Sequence, residues 1–179
     1  MKVSKTTLQD VLLIEPRVFR DDRGFFMETY NARRYHGQGI DTPLVQDNRA
    51  FSSKGVLRGL HFQKQFPQAK LVWATHGEVM DVVLDLRKSS PTFGKWEAFH
   101  LTAENNLQVF VPVGYAHGYA VLSETAEFAY KCSEFYHPED EGGVVWNDPE
   151  LAIDWGVKAP IVSEKDQALP RMADLNFSF

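Results

Sequence analysis

In several short runs of this sequence, apolar and polar side chains alternate with a period of two residues, and this pattern limits the folds that the chain can adopt. In residues 80–86 the even positions are apolar, while Asp81 and Asp85 occupy odd positions, and residues 107–111 and 126–132 alternate similarly. Successive side chains of a β-strand point to opposite faces, so this period indicates strands. Gly, Pro, Asn and Ser clusters separate the runs, as in antiparallel sandwiches and barrels. We therefore predict a mostly β jelly roll that encloses a pocket open at one end.

Helix-forming patterns are scarce in this sequence. Asn31 is a good N-cap residue for a short helix through residues 32–35 that Gly37 would end. A second short helix is expected near Ser163, with Glu164 in its first turn. These patterns predict a few helical turns at the ends of a β structure.

Composition and charge narrow the possible functions. The 179 residues suit one domain spanning residues 1–179, and no apolar run approaches the ~18 residues that a membrane span needs. A net charge of −5 argues against a general nucleic-acid binder but allows a small anionic ligand. Cys132 is the single cysteine, so no internal disulfide can form. Together with an N-terminus that lacks the apolar core of a signal peptide, this composition predicts a cytoplasmic protein.

Two histidines stand out as candidates for chemistry. His61 follows Arg58 by three residues in a strand-like run, and His117 lies directly before Gly118. A lone buried histidine is more often bonded to a backbone carbonyl than catalytic. Glycines beside both histidines permit close approach of a backbone or a ligand, and a nearby arginine adds charge. These surroundings weigh slightly in favour of a catalytic or binding role for the two histidines over a purely structural one.

A metal centre is the competing hypothesis for a small β fold with six histidines. The sequence has no His-x-His, and Phe62-Gln63 follows His61. One or two isolated histidines make a poor site for a metal that takes three or four ligands. We therefore expect no metal dependence. A Walker loop, a Gly-x-Gly-x-x-Gly turn and a Gly-x-Ser-x-Gly elbow are also missing, so any nucleotide would be bound by side chains.

Other candidates are a tyrosine and three cations. Alternation places Tyr130 on the face shared by Phe128 and Cys132, so its phenol is expected to point into the barrel, where it can be structural or can donate a proton. Arginine matches phosphate oxygens with two parallel hydrogen bonds. The scattered cationic residues that could serve such a role, or equally be solvated surface charges, are Arg23, Arg58 and Lys70.

These segments together resemble the dTDP-4-dehydrorhamnose 3,5-epimerase family, which catalyses the third step of dTDP-L-rhamnose synthesis. The resemblance extends in order from about Thr6 to Asp166. The matching stretches are Asp22-Arg23-Gly24-Phe25-Phe26-Met27-Glu28, Gln46-Asp47-Asn48, Gly55-Val56-Leu57-Arg58-Gly59-Leu60-His61-Phe62-Gln63, Lys70-Leu71-Val72, Ser90-Pro91-Thr92-Phe93-Gly94, Gly114-Tyr115-Ala116-His117-Gly118, Ala126-Glu127-Phe128-Ala129-Tyr130-Lys131 and Trp146-Asn147-Asp148-Pro149.

The resemblance implies a cupin-type jelly roll that epimerises a 4-keto sugar without metal or organic cofactor. His61 matches the base of the family, and Tyr130 matches the acid on the opposite face. Asp166 matches the aspartate that pairs with the histidine. Lys70 matches the lysine near the C4 oxygen, where a cation favours the enolate.

The resemblance also implies a substrate-binding set and a homodimer. Arg23 and Arg58 match the diphosphate and sugar contacts, and Phe135 falls where an aromatic residue can stack on the base. The N-terminal strand is expected to reach the partner's pocket, which gives composite sites. Residues matching the nucleotide site are Phe26, Glu28, Gln46, Asp47 and Asn48, and those matching further substrate contacts are His117, Glu141 and Lys165.

The segment Trp73-Ala74-Thr75-His76 departs from the family pattern and is expected to alter one edge of the pocket. Three hypotheses remain at this point. The first is the 3,5-epimerase. The second is a relative that epimerises only C3 or only C5 of another dTDP-4-keto-deoxysugar. The third is a cupin that only binds a sugar or carries a metal.

Overall fold

The chain forms fourteen strands and two short α-helices, which a computed structural model describes over residues 1–179. The helices are Ala32–Tyr35 (α1) and Glu164–Gln167 (α2). The strands are Lys2–Lys5 (β1), Leu12–Glu15 (β2), Val18–Asp21 (β3), Gly24–Met27 (β4), Gln46–Ser53 (β5), Val56–Gln63 (β6), Lys70–His76 (β7), Glu78–Asp85 (β8), Trp96–Thr102 (β9), Gln108–Val111 (β10), Tyr115–Val121 (β11), Thr125–Cys132 (β12), Glu141–Gly143 (β13) and Ile161–Val162 (β14).

Two sheets form a sandwich, and a separate hairpin stands outside it. The first sheet has the order β1-β2-β10-β7-β12-β5, and the second has the order β13-β6-β11-β8-β9 with β14 paired to β6. The strand pairs are antiparallel except for β14 with β6. The hairpin consists of β3 and β4. The prediction of a mostly β jelly roll is confirmed.

Apolar side chains fill three layers, so both sheets are covered on both faces. A central cluster that includes Val83 of the second sheet and Phe128 of the first joins the two sheets. Leu84 and Trp155 belong to a cluster in which the C-terminal segment covers the outside of the second sheet. Tyr35 of α1 packs with a third cluster outside the first sheet. Apolar layers therefore lie outside each sheet as well as between the two sheets.

The alternation in residues 80–86 is present, but its polar positions are fully buried. Asp81 and Asp85 both have 0% of their surface exposed. The Asp81 carboxylate accepts a hydrogen bond from His117, while that of Asp85 is bonded by Arg87. Because the C-terminal segment covers the apolar face of β8, the polar face of the strand is directed into the sandwich.

Both predicted helices are confirmed as single turns. The Asn31 side chain accepts a hydrogen bond from the backbone N–H of Arg33 at the start of α1. The Ser163 hydroxyl accepts one from the N–H of Asp166 at the start of α2. These caps satisfy N–H groups that have no partner within the helix. Neither helix is long or apolar enough to cross a membrane.

Two glycines allow β6 and β11 to approach closely beside the candidate histidines. Gly59 has a φ of +124°, and a Cβ atom there would lie 2.6 Å from the Cα of Gly118. A Cβ on Gly118 would in turn lie 2.7 Å from the carbonyl oxygen of Arg58. The close contact therefore requires glycine at both positions. It also holds His61 and His117 as direct partners across the two strands.

Candidate active site

A cavity of about 630 Å³ lies between the two sheets. Its walls come from both sheets and from α2, so residues distant in sequence meet there. Trp73 packs with the cluster outside the first sheet, so the departure at residues 73–76 does not reach this cavity. The residues singled out in the sequence that line it are Gln46, Asn48, Arg58, His61, Lys70, His117, Tyr130, Glu141, Lys165 and Asp166.

His61 is oriented by a carboxylate from the other end of the chain. Its Nε2 lies 2.7 Å from Oδ1 of Asp166, and Oδ2 of Asp166 accepts the backbone N–H of Gly59 at 3.1 Å. Burial opposes ionisation of Asp166, but the hydrogen bonds and charge of its neighbours, led by His61, outweigh burial and lower its pKa. The ionised carboxylate fixes Nε2 as the N–H donor, which leaves Nδ1 of His61 free to accept a proton.

A second carboxylate, Glu141, lies beside the same imidazole. Its Oε1 is 3.8 Å from Nε2 of His61, and its Oε2 accepts hydrogen bonds from Lys165 at 2.6 Å and from the Tyr136 hydroxyl at 2.7 Å. Burial opposes ionisation, but these bonds lower the pKa of Glu141, and the bonded carboxylate raises the pKa of Tyr136 to about 12. Two carboxylates thus lie beside the His61 ring, where they can stabilise positive charge that the ring takes up during proton transfer.

Tyr136 was not identified from the sequence, although it lines the cavity. Phe135, which was expected to stack on a base, is 59% exposed and lies outside the cavity lining. The backbone N–H of Tyr136 donates to Oε1 of Gln46 at 2.9 Å, which holds this segment at the cavity wall. Tyr136 is therefore the aromatic side chain at this edge of the cavity of its own chain, and stacking of Phe135 on a base stays a prediction. The chain between β12 and β13 has no strand period from which the direction of these side chains could be read.

Tyr130 enters the cavity from the sheet opposite His61. It lies in β12 of the first sheet and shares a face with Phe128 and Cys132, as the alternation predicted. Burial raises the pKa of Tyr130 to about 12. No protein group hydrogen bonds to its hydroxyl, so this protonated phenol can donate to a ligand.

Lys70 supplies an unpaired cation to the cavity. It lies in β7, and its Nζ is 6.0 Å from the centre of the Tyr130 ring. No carboxylate lies within ion-pair distance of its Nζ. Burial lowers the pKa of Lys70, while the nearby Cys132, Glu141 and Asp81 oppose the shift. An ammonium group without a counterion in such a place attracts a carbonyl or enolate oxygen.

A second histidine–carboxylate pair lies deeper in the sandwich. Nε2 of His117 is 2.6 Å from Oδ2 of Asp81, and both residues are buried. Asp81 was noted in the sequence only as part of an alternating run. The signal that could have identified it is a carboxylate in an otherwise apolar central strand, since a buried charge requires a partner.

The wall formed by β5 holds amide groups in place. Nε2 of Gln46 donates to Oδ1 of Asn48 at 3.0 Å, and the Asn48 amide lies 3.7 Å from the sulfur of Cys132. Cys132 is 1% exposed, and burial raises the pKa of its thiol. The thiol is therefore a poor nucleophile, in agreement with the absence of a nucleophile motif.

Five residues predicted for substrate binding do not line the cavity of their own chain. The side chain of Arg23 is 89% exposed and paired only with Asp21 at 2.5 Å. Phe26 is 70% exposed on β4. Both lie on the outer hairpin, away from the two sheets. The five residues are Arg23, Phe26, Glu28, Asp47 and Phe135.

This arrangement of groups suits proton transfer rather than metal chemistry. No group of three or more His, Cys, Asp and Glu side chains is placed to hold a metal ion. A base with its carboxylate, a protonated phenol on the facing sheet and an unpaired ammonium together meet the needs of proton exchange beside a carbonyl. The fold and the site thus define an isomerase of the kind that removes and returns protons on carbon.

Comparison with known proteins identifies the family within this class of isomerases. Residues 5–174 match the dTDP-4-dehydrorhamnose 3,5-epimerase family. The chain is 54% identical over 176 residues to the dTDP-4-dehydrorhamnose 3,5-epimerase of Pseudomonas aeruginosa, with 97% of each chain covered. This chain belongs to that family and is a carbohydrate epimerase.

Solved structures agree with this assignment. A dTDP-6-deoxy-D-glucose-3,5-epimerase from Legionella pneumophila, in complex with dTDP-4-keto-L-rhamnose, superposes with a TM-score of 0.95 at 46% identity, covering 98% of this chain and 94% of that one. A 3'-monoepimerase from Streptomyces bikiniensis, in complex with dTDP-quinovose, has a TM-score of 0.87 at 34% identity, covering 94% and 86%. The cupin-type fold is thus common to epimerases that act on different numbers of carbons.

Proposed function

We propose that this protein converts dTDP-4-dehydro-6-deoxy-D-glucose to dTDP-4-dehydro-L-rhamnose by exchanging the protons on C3 and C5. The observation that carries the proposal is that His61, with Asp166, and Tyr130 enter one cavity from opposite sheets. Inversion at a carbon requires removal of a proton from one face and its return to the other. Groups on facing sheets meet this requirement without any movement of the ligand from one site to another.

In this mechanism Nδ1 of His61 removes the proton. The C4 ketone acidifies the hydrogens on both neighbouring carbons, so a neutral imidazole is a sufficient base. Asp166 holds the ring and stabilises the imidazolium that forms. Tyr130 then donates its phenolic proton to the carbanion on the opposite face and is reprotonated from solvent. Groups of this kind contribute typically about 10²- to 10⁴-fold to a rate.

Lys70 stabilises the charge that develops on the C4 oxygen. It is an ammonium group with no carboxylate partner, in the cavity wall shared with Tyr130. A fixed cation beside the oxygen lowers the energy of the enolate more than that of the ketone. The proposed chemistry needs no metal and no organic cofactor, and the site groups named above supply each step.

We also propose a homodimer with composite sites. Support comes from the outer hairpin, where Arg23 and Phe26 are exposed and do not line the main cavity of their own chain. An exposed arginine and an exposed aromatic ring are groups that bind a diphosphate and a base. On a hairpin separate from both sheets, these side chains are free to reach a partner's cavity. The single cysteine and the net charge of −5 support a cytoplasmic protein that binds no nucleic acid.

Deuterium exchange tests the proposed reaction. The purified protein is incubated in D2O with dTDP-4-dehydro-6-deoxy-D-glucose and EDTA, and the sugar is analysed by NMR. We expect deuterium at both C3 and C5 and formation of the L-rhamno product. Exchange at one carbon alone would identify a monofunctional epimerase instead. Activity lost in EDTA and restored by a metal would contradict the metal-free mechanism.

Two histidine variants separate the base from a general effect of mutation. His61→Ala should abolish exchange at both carbons. His100→Ala is the matched control, because His100 is exposed on β9 and pairs with Glu78 at 3.2 Å, away from the cavity. Near-normal exchange in His61→Ala would rule out His61 as the base.

A further inference from the structure

The hydroxyl of Tyr119 is a buried polar group without a hydrogen-bond partner. Tyr119 lies in β11, lines the cavity, and is only 5% exposed. Its ring stacks on that of Phe128 with 4.2 Å between the ring centres, so the position of the hydroxyl is fixed. Buried hydroxyls in proteins almost always have a partner, because an unpaired one costs the free energy of its lost hydration. The mechanism proposed above does not use this group.

Arg58 is the direct partner of Tyr119 across β6 and β11. Its guanidinium reaches only the hydroxyl of Ser52, through Nε at 3.4 Å and Nη2 at 3.2 Å. These are long bonds to a neutral oxygen, and no carboxylate pairs with Arg58. Most of its five N–H donors therefore remain unused at the cavity wall. A guanidinium held so weakly can turn toward an anion that enters the cavity.

The electrostatics beside Tyr119 keep its hydroxyl a donor. Burial raises the pKa of Tyr119, and the nearby positive charge of Arg58 opposes the rise. Ser52 and Arg58 both lie near the hydroxyl, yet neither makes a hydrogen bond of normal geometry with it. The pair thus presents a fixed O–H donor next to an uncompensated cation, and both suit an oxygen that carries negative charge.

The family resemblance already implies Arg58 as a diphosphate or sugar contact, and we propose that the Tyr119 hydroxyl joins it in binding one phosphoryl group of the ligand's diphosphate. Arg58 leaves Ser52 and donates two parallel hydrogen bonds to non-bridging oxygens, while the Tyr119 hydroxyl donates a third. Arginine's planar donors match such a group, and the tyrosine adds a donor whose direction the Phe128 stack already sets. The inference rests on the proposed function in that the ligand is a nucleoside-diphosphate sugar.

The test is the variant Tyr119→Phe, which removes the hydroxyl and keeps the ring. Calorimetric titration with dTDP and with inorganic pyrophosphate should show weaker binding, with Kd raised about ten- to hundredfold for each, as expected for one lost hydrogen bond to a charged group. With the nucleotide sugar the loss should appear in KM more than in kcat. The melting temperature should stay the same or rise, because the variant removes an unpaired buried polar group.

Tyr115→Phe is the matched control on the same strand. The Tyr115 hydroxyl is bonded to Arg87 and to the carbonyl oxygen of Gln9, outside the main cavity. This variant should lower the melting temperature and leave the Kd for dTDP within about twofold. Tyr119→Phe is therefore expected to lower the affinity for dTDP without loss of stability, whereas Tyr115→Phe is expected to lower stability without loss of affinity.

An unchanged Kd for dTDP in Tyr119→Phe would overturn the proposal, and so would a fall in melting temperature without a change in Kd, which indicates a purely structural hydroxyl. Both measurements are independent of turnover. If the protein bound dTDP through Tyr119 but exchanged no deuterium, the proposed reaction would fail while this inference stood. If the wild type exchanged deuterium at both carbons but Tyr119→Phe bound dTDP as well as the wild type, the proposed reaction would stand and this inference would fail.

Discussion

His61 and His117 are direct partners across β6 and β11, and each is bonded to a carboxylate of its own. His61 lies 2.7 Å from Asp166, and His117 lies 2.6 Å from Asp81. The two pairs differ in their surroundings, since the side chain of His61 is 27% exposed and that of His117 is 8% exposed. The more accessible pair is the one that can exchange protons with a ligand and then with solvent.

Because the two pairs differ in exposure, we expect different effects when the carboxylate of each is replaced by an amide. Asp166→Asn should reduce deuterium exchange by about 10²-fold or more, because an amide no longer fixes the His61 tautomer or stabilises its imidazolium. Binding of dTDP should change little. Asp81→Asn should instead weaken binding of the nucleotide sugar more than it slows exchange at saturation. Steady-state kinetics followed by NMR would measure both, and equal losses of kcat in the two variants would contradict this division of roles.

Tyr130→Phe is expected to separate proton removal from proton return. Formation of the inverted product should fall by about 10²-fold or more, whereas deuterium washed into recovered substrate should fall less, because His61 remains intact. Since burial raises the pKa of Tyr130 to about 12, its ionisation should not reduce the wild-type rate up to about pH 11. Equal losses of exchange and inversion would show that Tyr130 is not the acid.

The proposed composite sites can be tested by mixing two inactive proteins. Arg23→Ala and His61→Ala should each be impaired, the first in binding and the second in chemistry. Subunit exchange at equal concentrations makes hybrid dimers in which one site has both residues intact. About one quarter of wild-type activity should then return. A mixture no more active than its components would mean that Arg23 serves its own chain or none.

Asp85 makes stability depend on pH at the acid end. Burial opposes its ionisation, but hydrogen bonds from Arg87, Ser90 and Thr92 lower its pKa to about 2 from 3.8. A lowered pKa means that its contribution is complete above about pH 4 and is lost as the pH falls toward 2. The contribution is on the order of 2 kcal/mol.

Urea unfolding between pH 5 and pH 2 would measure this contribution. Asp85→Asn should be less stable than the wild type at pH 5, and the difference should shrink toward pH 2. A constant difference across this range would contradict the role given to the Asp85 charge.

The strand pattern and both helix caps were predictable from the sequence because they depend on near neighbours. Asn31 and Ser163 cap the helices expected of them. The direction of the polar faces was not predictable in the same way. Asp81 points inward because the C-terminal segment covers the other face of β8, and that covering depends on residues far along the chain.

The residues of the site were likewise only partly predictable from the sequence. His61, Lys70, Tyr130 and Asp166 line one cavity, as the family resemblance implied. Tyr119 and Tyr136 were missed, since neither belongs to a motif that signals chemistry by itself. Tyr119 is marked only by the missing partner of its hydroxyl, which becomes visible once all its neighbours are known.

The segment that carries Asp166 is attached to the sandwich by little structure. β14 pairs with β6 over two residues, and α2 is a single turn that follows it. Short peripheral segments open with a smaller free energy than the global unfolding of the protein. The enzyme can therefore lose its oriented base while both sheets remain folded. On heating, we expect activity to fall before the core melts.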